Sequence, residues 1–304
     1  MLPSFLRYDV FDPLSFGGTV PVRRSFDDSK IVVLPIPFER TTSYVPGTRN
    51  APRAILEATT QVELWDEELE TDVHAVGIYT LPQMELPFED VPSAQAEIGR
   101  VANELFARGK YLLALGGEHS ITPPLVLAAV RHHPSLSVLQ IDAHTDLRDS
   151  YLGSRFSHAC AMRRLIEEFD PGHLSQVGIR HLCQEEAEVS RRLGTNVFYD
   201  FALRDDPRWI DRVIDSLHDP VYITFDCDGL DPAIMPAVGT PVPGGLLWHE
   251  ALKLLRATFE RRTVVACDIV ELCPTPGLVA PDFLCARLAF KLINYRFGIQ
   301  RKLD

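Results

Sequence analysis

The segment "IDAHTD" sets Asp142, His144 and Asp146 at alternate positions directly after the apolar run "SVLQ". Three other segments share that design. "LGGEHS" places His119 just past "YLLAL", "FDCDGLDP" places Asp226 and Asp228 just past "VYIT", and "DIVEL" carries Glu271 beyond "TVVAC". In extended backbone, alternate side chains fall on one side. Asp142, His144 and Asp146 can therefore converge, as can Asp226 and Asp228, with Cys227 turned away as a small buried hydrophobe. If the strand ends inside "DAHTD", a turn must supply part of that convergence. Four carboxylates gathered with two imidazoles repel one another, and without cations some would have to take up protons. Two divalent ions balance four carboxylate charges, and oxygens can bridge ions roughly 3.5–4 Å apart. An oxygen-rich site with few imidazoles suits Mn2+ better than structural Zn2+. A lone Asp-x-Asp is ordinarily a turn and a lone His a surface or satisfied core residue, but four such segments at strand ends point together to metal chemistry.

Positioning these residues falls to alternating strands and helices. "KIVVLPI", "YLLALGG", "SLSVLQI", "LSQVGI", "PVYITF" and "TVVACDIV" read as strands. Between and after them, helical patterns begin near Ala51 and run through "AEIGRVANELFARGK", "ACAMRRLIEEF", "EEAEVSRRLG", "HEALKLLRATFERR" and "DFLCARLAFKLINYR". Such alternation predicts βαβ crossovers, a mostly parallel sheet and helices on both faces, with ligands bound outside the carboxyl ends of the strands. No repeat or low-complexity linker divides the chain. The expected organisation is one catalytic domain over residues 29–304, preceded by an arm over residues 1–28 that packs on the body, packs on a neighbouring subunit or forms a tail. Gly116 and Gly117 are expected to permit a tight turn beside His119. Asp231, before Pro232, is expected to order a turn, and His132, His133 and His218 read as solvated.

At 304 residues the chain can bury a substantial core, and its 46% apolar and 24% charged residues are too apolar for disorder. The formal charge of −12, with no clustered basic run, excludes a nucleic-acid partner and mildly favours a small cation. The start, "MLPSFLRYDVFDPLSF", does not read as a signal peptide, and no apolar run has membrane-span length. Six cysteines without a CxxC pair read as free thiols, so the expected location is a reducing cytoplasm.

The segments "GGEHS", "DAHTD", "SHACAMRR", "GIR", "FDCDGLDP", "GTPVPGGL" and "DIVEL" resemble, in order over roughly residues 30 to 295, those of the ureohydrolases that include arginase and agmatinase. The resemblance implies a three-layer αβα fold, two Mn2+ ions, a homo-oligomer (commonly a trimer or hexamer), and hydrolysis of a guanidinium group to urea and an amine. It assigns His119, Asp142, Asp146 and Asp226 to one ion, and Asp142, His144, Asp226 and Asp228 to the other, with Asp142 and Asp226 bridging. Asp146 is matched to the carboxylate that accepts a hydrogen bond from the attacking hydroxide and helps move its proton to the leaving nitrogen. Glu271 is matched to the carboxylate that holds the guanidinium, and His158 to a histidine that shuttles protons at the mouth of the site, where a pKa near neutrality is useful. His158 is equally placed to cap the helix it opens. A guanidinium carbon is a poor electrophile, which is why water acidified between two ions is the nucleophile such chemistry needs.

The family's substrates differ at the far end. "LRDSYLGSRFSHA" lacks the polar loop with which arginases hold the α-amino and α-carboxylate groups, so agmatine, cleaved to putrescine, is the leading expectation. The alternatives are 4-guanidinobutyrate, aminopropylagmatine or arginine itself. Asp149 is a candidate partner for a tail ammonium, and Arg148 and Arg155 for a tail carboxylate. Two readings of other kinds stand beside these: a different two-metal hydrolase such as a phosphoesterase, against which the missing phosphate cradle and Glu271 argue, and a non-catalytic metal-binding regulatory homologue, against which the intact ligand set argues.

Overall fold

The computed structural model describes residues 3–6, 14–18, 25–72 and 76–299. Strands and helices alternate as follows: β1 (Ile31–Pro35), α1 (Ala51–Thr59), β2 (Ile78–Thr80), α2 (Val91–Ala107), β3 (Tyr111–Leu115), α3 (Thr122–His132), β4 (Ser137–Ile141), α4 (Ala161–Leu165) and β5 (Leu174–Ile179). The chain continues through α5 (Gln184–Leu193), β6 (Asn196–Tyr199), α6 (Asp200–Leu203), α7 (Trp209–Asp215), β7 (Val221–Asp226), α8 (Trp248–Arg261), β8 (Val264–Val270) and α9 (Ala280–Asn294). The strands form one eight-stranded sheet in the order β2-β1-β3-β8-β7-β4-β5-β6, and every pairing is parallel.

A parallel sheet covered on both faces needs apolar side chains on both, which is why these strands read as continuous apolar runs. Ile31 and Val33 join the core beneath α1, α8 and α9, whereas Val32 and Leu34 join the core beneath α2, α3 and α4. The outcome is the three-layer αβα architecture expected from the sequence. Two strands were not legible. β2 and β6 are short edge strands of half-buried residues, held by pairing with one neighbour rather than by an apolar run of their own. The helix expected over "ACAMRRLIEEF" shrinks to the five residues of α4.

One feature of the register runs against the apolar pattern. Gln176, Gln140, Thr224 and Asp268 are aligned across β5, β4, β7 and β8. All four are fully buried, so a polar row crosses the middle of the sheet a few residues below the strand ends.

Most of the arm expected over residues 1–28 lies outside the described residues. Its described pieces sit on the body: Phe16 is buried against Phe290, its N–H bonds Thr80, and Phe26 is buried between Phe5 and Tyr79. Among the described residues, no helix is long and apolar enough to cross a membrane.

Candidate metal centre and active site

The adjacency of β3, β8, β7 and β4 brings four strand ends together although the strands are far apart in sequence. His119 follows β3, Glu271 follows β8, Asp226 ends β7, and Asp142 follows β4. The structure thus brings His119, Asp142, His144, Asp146, Asp226 and Asp228 together at one sheet edge, with Glu271 and His158 beside them.

Turns, more than strand alternation, produce the convergence. β4 stops at Ile141, and Asp142 Oδ1 accepts the His144 N–H at 2.6 Å. Asp226 Oδ1 likewise accepts the Asp228 N–H at 2.8 Å, opening a short helical turn over Cys227–Gly229. In both cases a carboxylate folds the chain back on itself two residues on, the habitual act of an Asp at a strand end. Asp146 and Glu271 have φ of 53° and 62°, a left-handed backbone that costs a non-glycine residue of order 1 kcal/mol or more and concentrates at functional sites. Cys227 faces away into the core, its sulfur 3.4 Å from that of Cys285 on α9.

Gly116 and Gly117 serve a different purpose from the one expected. Neither has positive φ, so the turn does not demand glycine for its conformation. A Cβ on Gly117 would lie 1.8 Å from the Phe38 carbonyl oxygen, because Gly117 and Glu118 donate their N–H groups to Ile36 and Phe38. Close approach of two backbones is what requires the missing side chain at Gly117, while at Gly116 the side chains of Ile121 and Val270 leave no room for one.

Two groups of donors emerge. His119 Nδ1 lies 3.1 Å from Asp142 Oδ2, 3.1 Å from Asp146 Oδ2 and 3.2 Å from Asp226 Oδ2. His144 Nδ1 lies 3.0 Å from Asp228 Oδ2 and 3.5 Å from Asp142 Oδ1. Asp142 alone presents one oxygen to each group. Asp226 turns Oδ2 to the first group, while its Oδ1 is occupied by the Asp228 N–H. His119 Nδ1 is buried and has no partner of hydrogen-bonding geometry, although three carboxylate oxygens surround it. A buried ring nitrogen and several anionic oxygens facing one point fit a cation, and oxygen-rich donors with one imidazole per group fit a hard divalent ion.

The electrostatics agree. Burial disfavours charge on His119 and His144, yet the surrounding carboxylates raise both pKa values well above the ordinary one. Burial, with Asp142 as a like charge, pushes Asp146 up to about 6, and burial with Asp228 and Asp142 pushes Asp226 well up. For Asp142, burial is outweighed by His119 and His144, which hold it below the usual carboxylate range. Four acidic groups face only two imidazoles, and the deficit is of positive charge.

Glu271 Oε1 accepts the His119 N–H at 2.7 Å and lies 3.0 Å from His158 Nδ1, while His158 Nε2 lies 3.2 Å from Ser43 Oγ. Burial opposes a charge on His158, but Glu271 prevails and raises its pKa to about 9, well above the neutrality expected of a free shuttle. The partner explains the difference: an imidazolium beside a carboxylate keeps its proton.

The cluster lies at the base of a cleft of about 300 Å³. Its outer wall includes Arg148, Tyr151, His181, Leu182, Cys183 and Glu186. Two residues considered for the substrate tail are not in that wall. Asp149 is held by Arg155 and Arg164, and Arg155 by Asp149 and Glu167, so these charges neutralise one another outside the cleft. Arg148 does reach it, 3.4 Å from Glu186 and stacked over the Tyr151 ring at 4.7 Å.

Sequence reasoning passed over several supporting groups. Gln140 Nε2 donates to Asp142 Oδ2 at 2.6 Å, and His181 Nδ1 lies 3.3 Å from His144 Nε2. Glu118 accepts from the backbone of Arg40 and Thr41 and from the Thr41 hydroxyl, and that hydroxyl accepts the His158 N–H. Arg180 anchors the loops beyond β7 through the carbonyls of Asp228 and Val242. Asp231 accepts the Ala233 N–H and orders its turn as expected. A usable signal existed for Gln140: a polar residue inside a buried apolar strand needs a partner, and here that partner is a cluster carboxylate.

An open parallel α/β sheet with a carboxylate–imidazole cluster at its carboxyl edge defines the class: an α/β protein with two candidate groups of cation donors at its sheet edge. More narrowly, residues 29–294 match the model of the Arginase family, and the chain belongs to that family of ureohydrolases. It is 42% identical over 285 residues to an N(1)-aminopropylagmatine ureohydrolase of Synechocystis, a match covering 91% of this chain and 92% of that protein. It is 33% identical over 264 residues to an agmatinase of Bacillus cereus, covering 86% and 90% respectively. The crystal structure of an agmatine ureohydrolase of Thermoplasma volcanium superposes with a TM-score of 0.86 at 32% identity, covering 97% of this chain and 98% of that one.

Proposed function

We propose that this chain is a two-ion hydrolase that cleaves the guanidinium end of a cationic guanidino-amine, releasing urea and the amine. The observation that carries this reading is the double donor group at the base of the cleft, with Asp142 shared between its halves and Glu271 beside it. His119, Asp142, Asp146 and Asp226 would hold one ion, and Asp142, His144, Asp226 and Asp228 the other. Mn2+ is favoured by the oxygen-rich donors. Two bound divalent ions supply the positive charge that acidifies water near neutral pH.

The protein's own groups do the rest. Glu271, fixed by the His119 N–H and His158, has a carboxylate oxygen left to accept from the planar guanidinium. Asp146, deep in the cleft and held in its left-handed conformation, takes the proton of the attacking water and passes it toward the leaving nitrogen. His158, at the rim, returns a proton to the departing amine from an imidazole that is charged at neutral pH. A new C–O bond forms at the guanidinium carbon, the bond to the substituted nitrogen breaks, and that nitrogen leaves protonated.

The outer wall selects the tail. Tyr151 offers an aromatic face that already stacks with the cation of Arg148, which marks this part of the wall as suited to positive charge, whereas Glu186 is buried and committed to Arg148, Thr145 and the N–H groups of Leu147 and Cys183. A carboxylate tail has no unengaged arginine to meet, because Arg148 and Arg155 are both paired. The sequence placed agmatine first. The 42% identity to an aminopropylagmatine ureohydrolase, against 33% to an agmatinase, moves N1-aminopropylagmatine ahead of it. Agmatine is the second reading, supported by the fold match to an agmatine ureohydrolase. The unit that acts is a single catalytic domain over residues 29–304, working in the cytoplasm as a homo-oligomer.

The test is urea release by the Mn2+-loaded protein from N1-aminopropylagmatine, agmatine, arginine, 4-guanidinobutyrate and guanidine. We expect the highest kcat/KM for N1-aminopropylagmatine. A higher value for agmatine reverses the order of the two readings, and no urea from any of the five, with metal bound, removes the catalytic one.

A further inference from the structure

We propose that Thr224 and Asp268, which do not line the cleft, are positioning residues that fix the tautomer of His119 and aim its Nδ1 lone pair into the candidate cation site. This rests on the reading of His119 as a metal ligand. The two residues belong to the polar row that crosses the sheet, paired in register on β7 and β8, and both are fully buried.

Counting protons gives the direction of each bond. Asp268 is ringed by three hydroxyls: Thr224 donates to its Oδ1 at 2.6 Å, and Tyr222 and Thr122 donate to its Oδ2 at 2.8 and 3.0 Å. A hydroxyl has one proton, and that of Thr224 is committed to the carboxylate. At 2.9 Å from His119 Nε2, the Thr224 oxygen can then only accept. In the neutral ring, the form a cation requires, His119 must therefore carry its proton on Nε2, which leaves Nδ1 as a lone pair facing Asp142, Asp146 and Asp226. Nδ1 is the buried nitrogen without a hydrogen-bond partner, as expected of an atom reserved for a cation.

A neutral imidazole has two tautomers, and in an isolated ring neither is strongly preferred. A proton on Nδ1 would point at the ions and oppose their binding. Metal-bound histidines are commonly oriented by a carboxylate on the other ring nitrogen. Here a threonine hydroxyl is interposed, so the buried negative charge of Asp268 acts on His119 through Thr224. Burial raises the Asp268 carboxyl, and the nearby His119 and the three hydroxyl bonds offset that only in part. The second donor group has no such support: His144 Nε2 meets His181 at the cleft wall instead. Loss of the relay should therefore weaken one ion and spare the other.

The experiment is calorimetric titration of chelator-stripped, full-length protein with Mn2+, comparing the wild type with Thr224→Val, Thr224→Ser, Asp268→Asn and His119→Ala. Thr224→Val keeps the shape and removes the hydroxyl. It is expected to weaken one of two ions about 10- to 100-fold and leave the other within about 3-fold, the range seen when outer-sphere partners are removed. Thr224→Ser restores the hydroxyl and is expected to rescue. Wild-type affinity for both ions in Thr224→Val overturns the relay, as does equal weakening of both ions in a folded variant. Should Thr224→Val not fold, Asp268→Asn, which removes the charge with little change of shape, is expected to weaken the same ion, and unchanged binding overturns the proposal. His119→Ala separates the two readings. If it loses one ion while Thr224→Val does not, only the relay fails; if it binds both ions normally, the assignment of His119 as a ligand fails and the relay with it.

Discussion

The His158–Glu271 pair makes a prediction whose size follows from its burial. His158 is 15% exposed and Glu271 6%, so solvent screens their contact little. Burial works against the imidazolium, but Glu271 raises its pKa from an ordinary 6.5 to about 9. A histidine whose pKa is raised on folding stabilises the fold fully below the unfolded value and loses that contribution as pH rises through the folded one. At about 1.4 kcal/mol per pH unit, the pair contributes roughly 3 kcal/mol near pH 6, fading between about pH 6.5 and 9. The perturbation is His158→Asn, which keeps a polar group and removes the titrating charge. Urea unfolding of both proteins in matched buffers and metal, at intervals from pH 6 to 9.5, cancels every titration they share. The stability difference should fall by about 3 kcal/mol across that range. A flat difference, or one that grows with pH, would refute the claim that Glu271 holds His158 charged.

Four further outcomes are expected. Asp142→Asn removes a carboxylate that presents an oxygen to each donor group, so urea release should be abolished while the circular dichroism spectrum is kept; an active variant contradicts the shared role. Glu271→Gln retains an acceptor for the His119 N–H but loses the anion. A hydrogen bond to a charged group contributes roughly 1.5–3 kcal/mol, so kcat/KM should fall about 10- to 100-fold, and an unchanged value means the guanidinium is held elsewhere. Chelation should lower the melting temperature, since an ion at 100 times its Kd stabilises the native state by about 2.7 kcal/mol; identical melts with and without chelator argue against an ion in the cluster. Gly117→Ala should destabilise by roughly 3 kcal/mol or more, because its Cβ would meet a carbonyl oxygen at 1.8 Å, and a variant that melts like the wild type shows that the two backbones can separate cheaply.

Much of the architecture was legible because the chain repeats one device: an apolar run long enough for a buried strand, ended by an acidic or histidine residue. Apolar runs identified six strands, and four of them carry the side chains that meet at the site. What escaped has physical causes. β2 and β6 are set by hydrogen bonding to a neighbour, which leaves no local signature. Alternation along an extended strand was the wrong account of how Asp226 meets Asp228, while for Asp142 and His144 the turn allowed for inside "DAHTD" supplies the convergence; in both, the first Asp makes a turn with its own carboxylate. Asp149 and Arg155 looked suited to a substrate tail because sequence shows charges without their partners, and folding gave each a partner outside the cleft. Gln140, Thr224 and Asp268 stood in plain view as polar residues inside apolar strands, but only the register shows that they form a continuous row.

The position of β8 has a consequence for how the molecule comes into being. His119 hangs from the strand on one side of β8, and the carboxylates hang from strands on its other side. All six donor residues precede Arg261 in the chain, yet β8, at Val264–Val270, is the strand that closes the gap between β3 and β7. A nascent chain that has exposed every donor still holds two unjoined half-sheets, and its long-range pairings are of the slow-forming kind. An ion held by both halves would fasten the seam once β8 has entered. Metal uptake should thus trail synthesis of the last strand, and a chain ending near residue 262 should hold the ions weakly despite possessing every ligand.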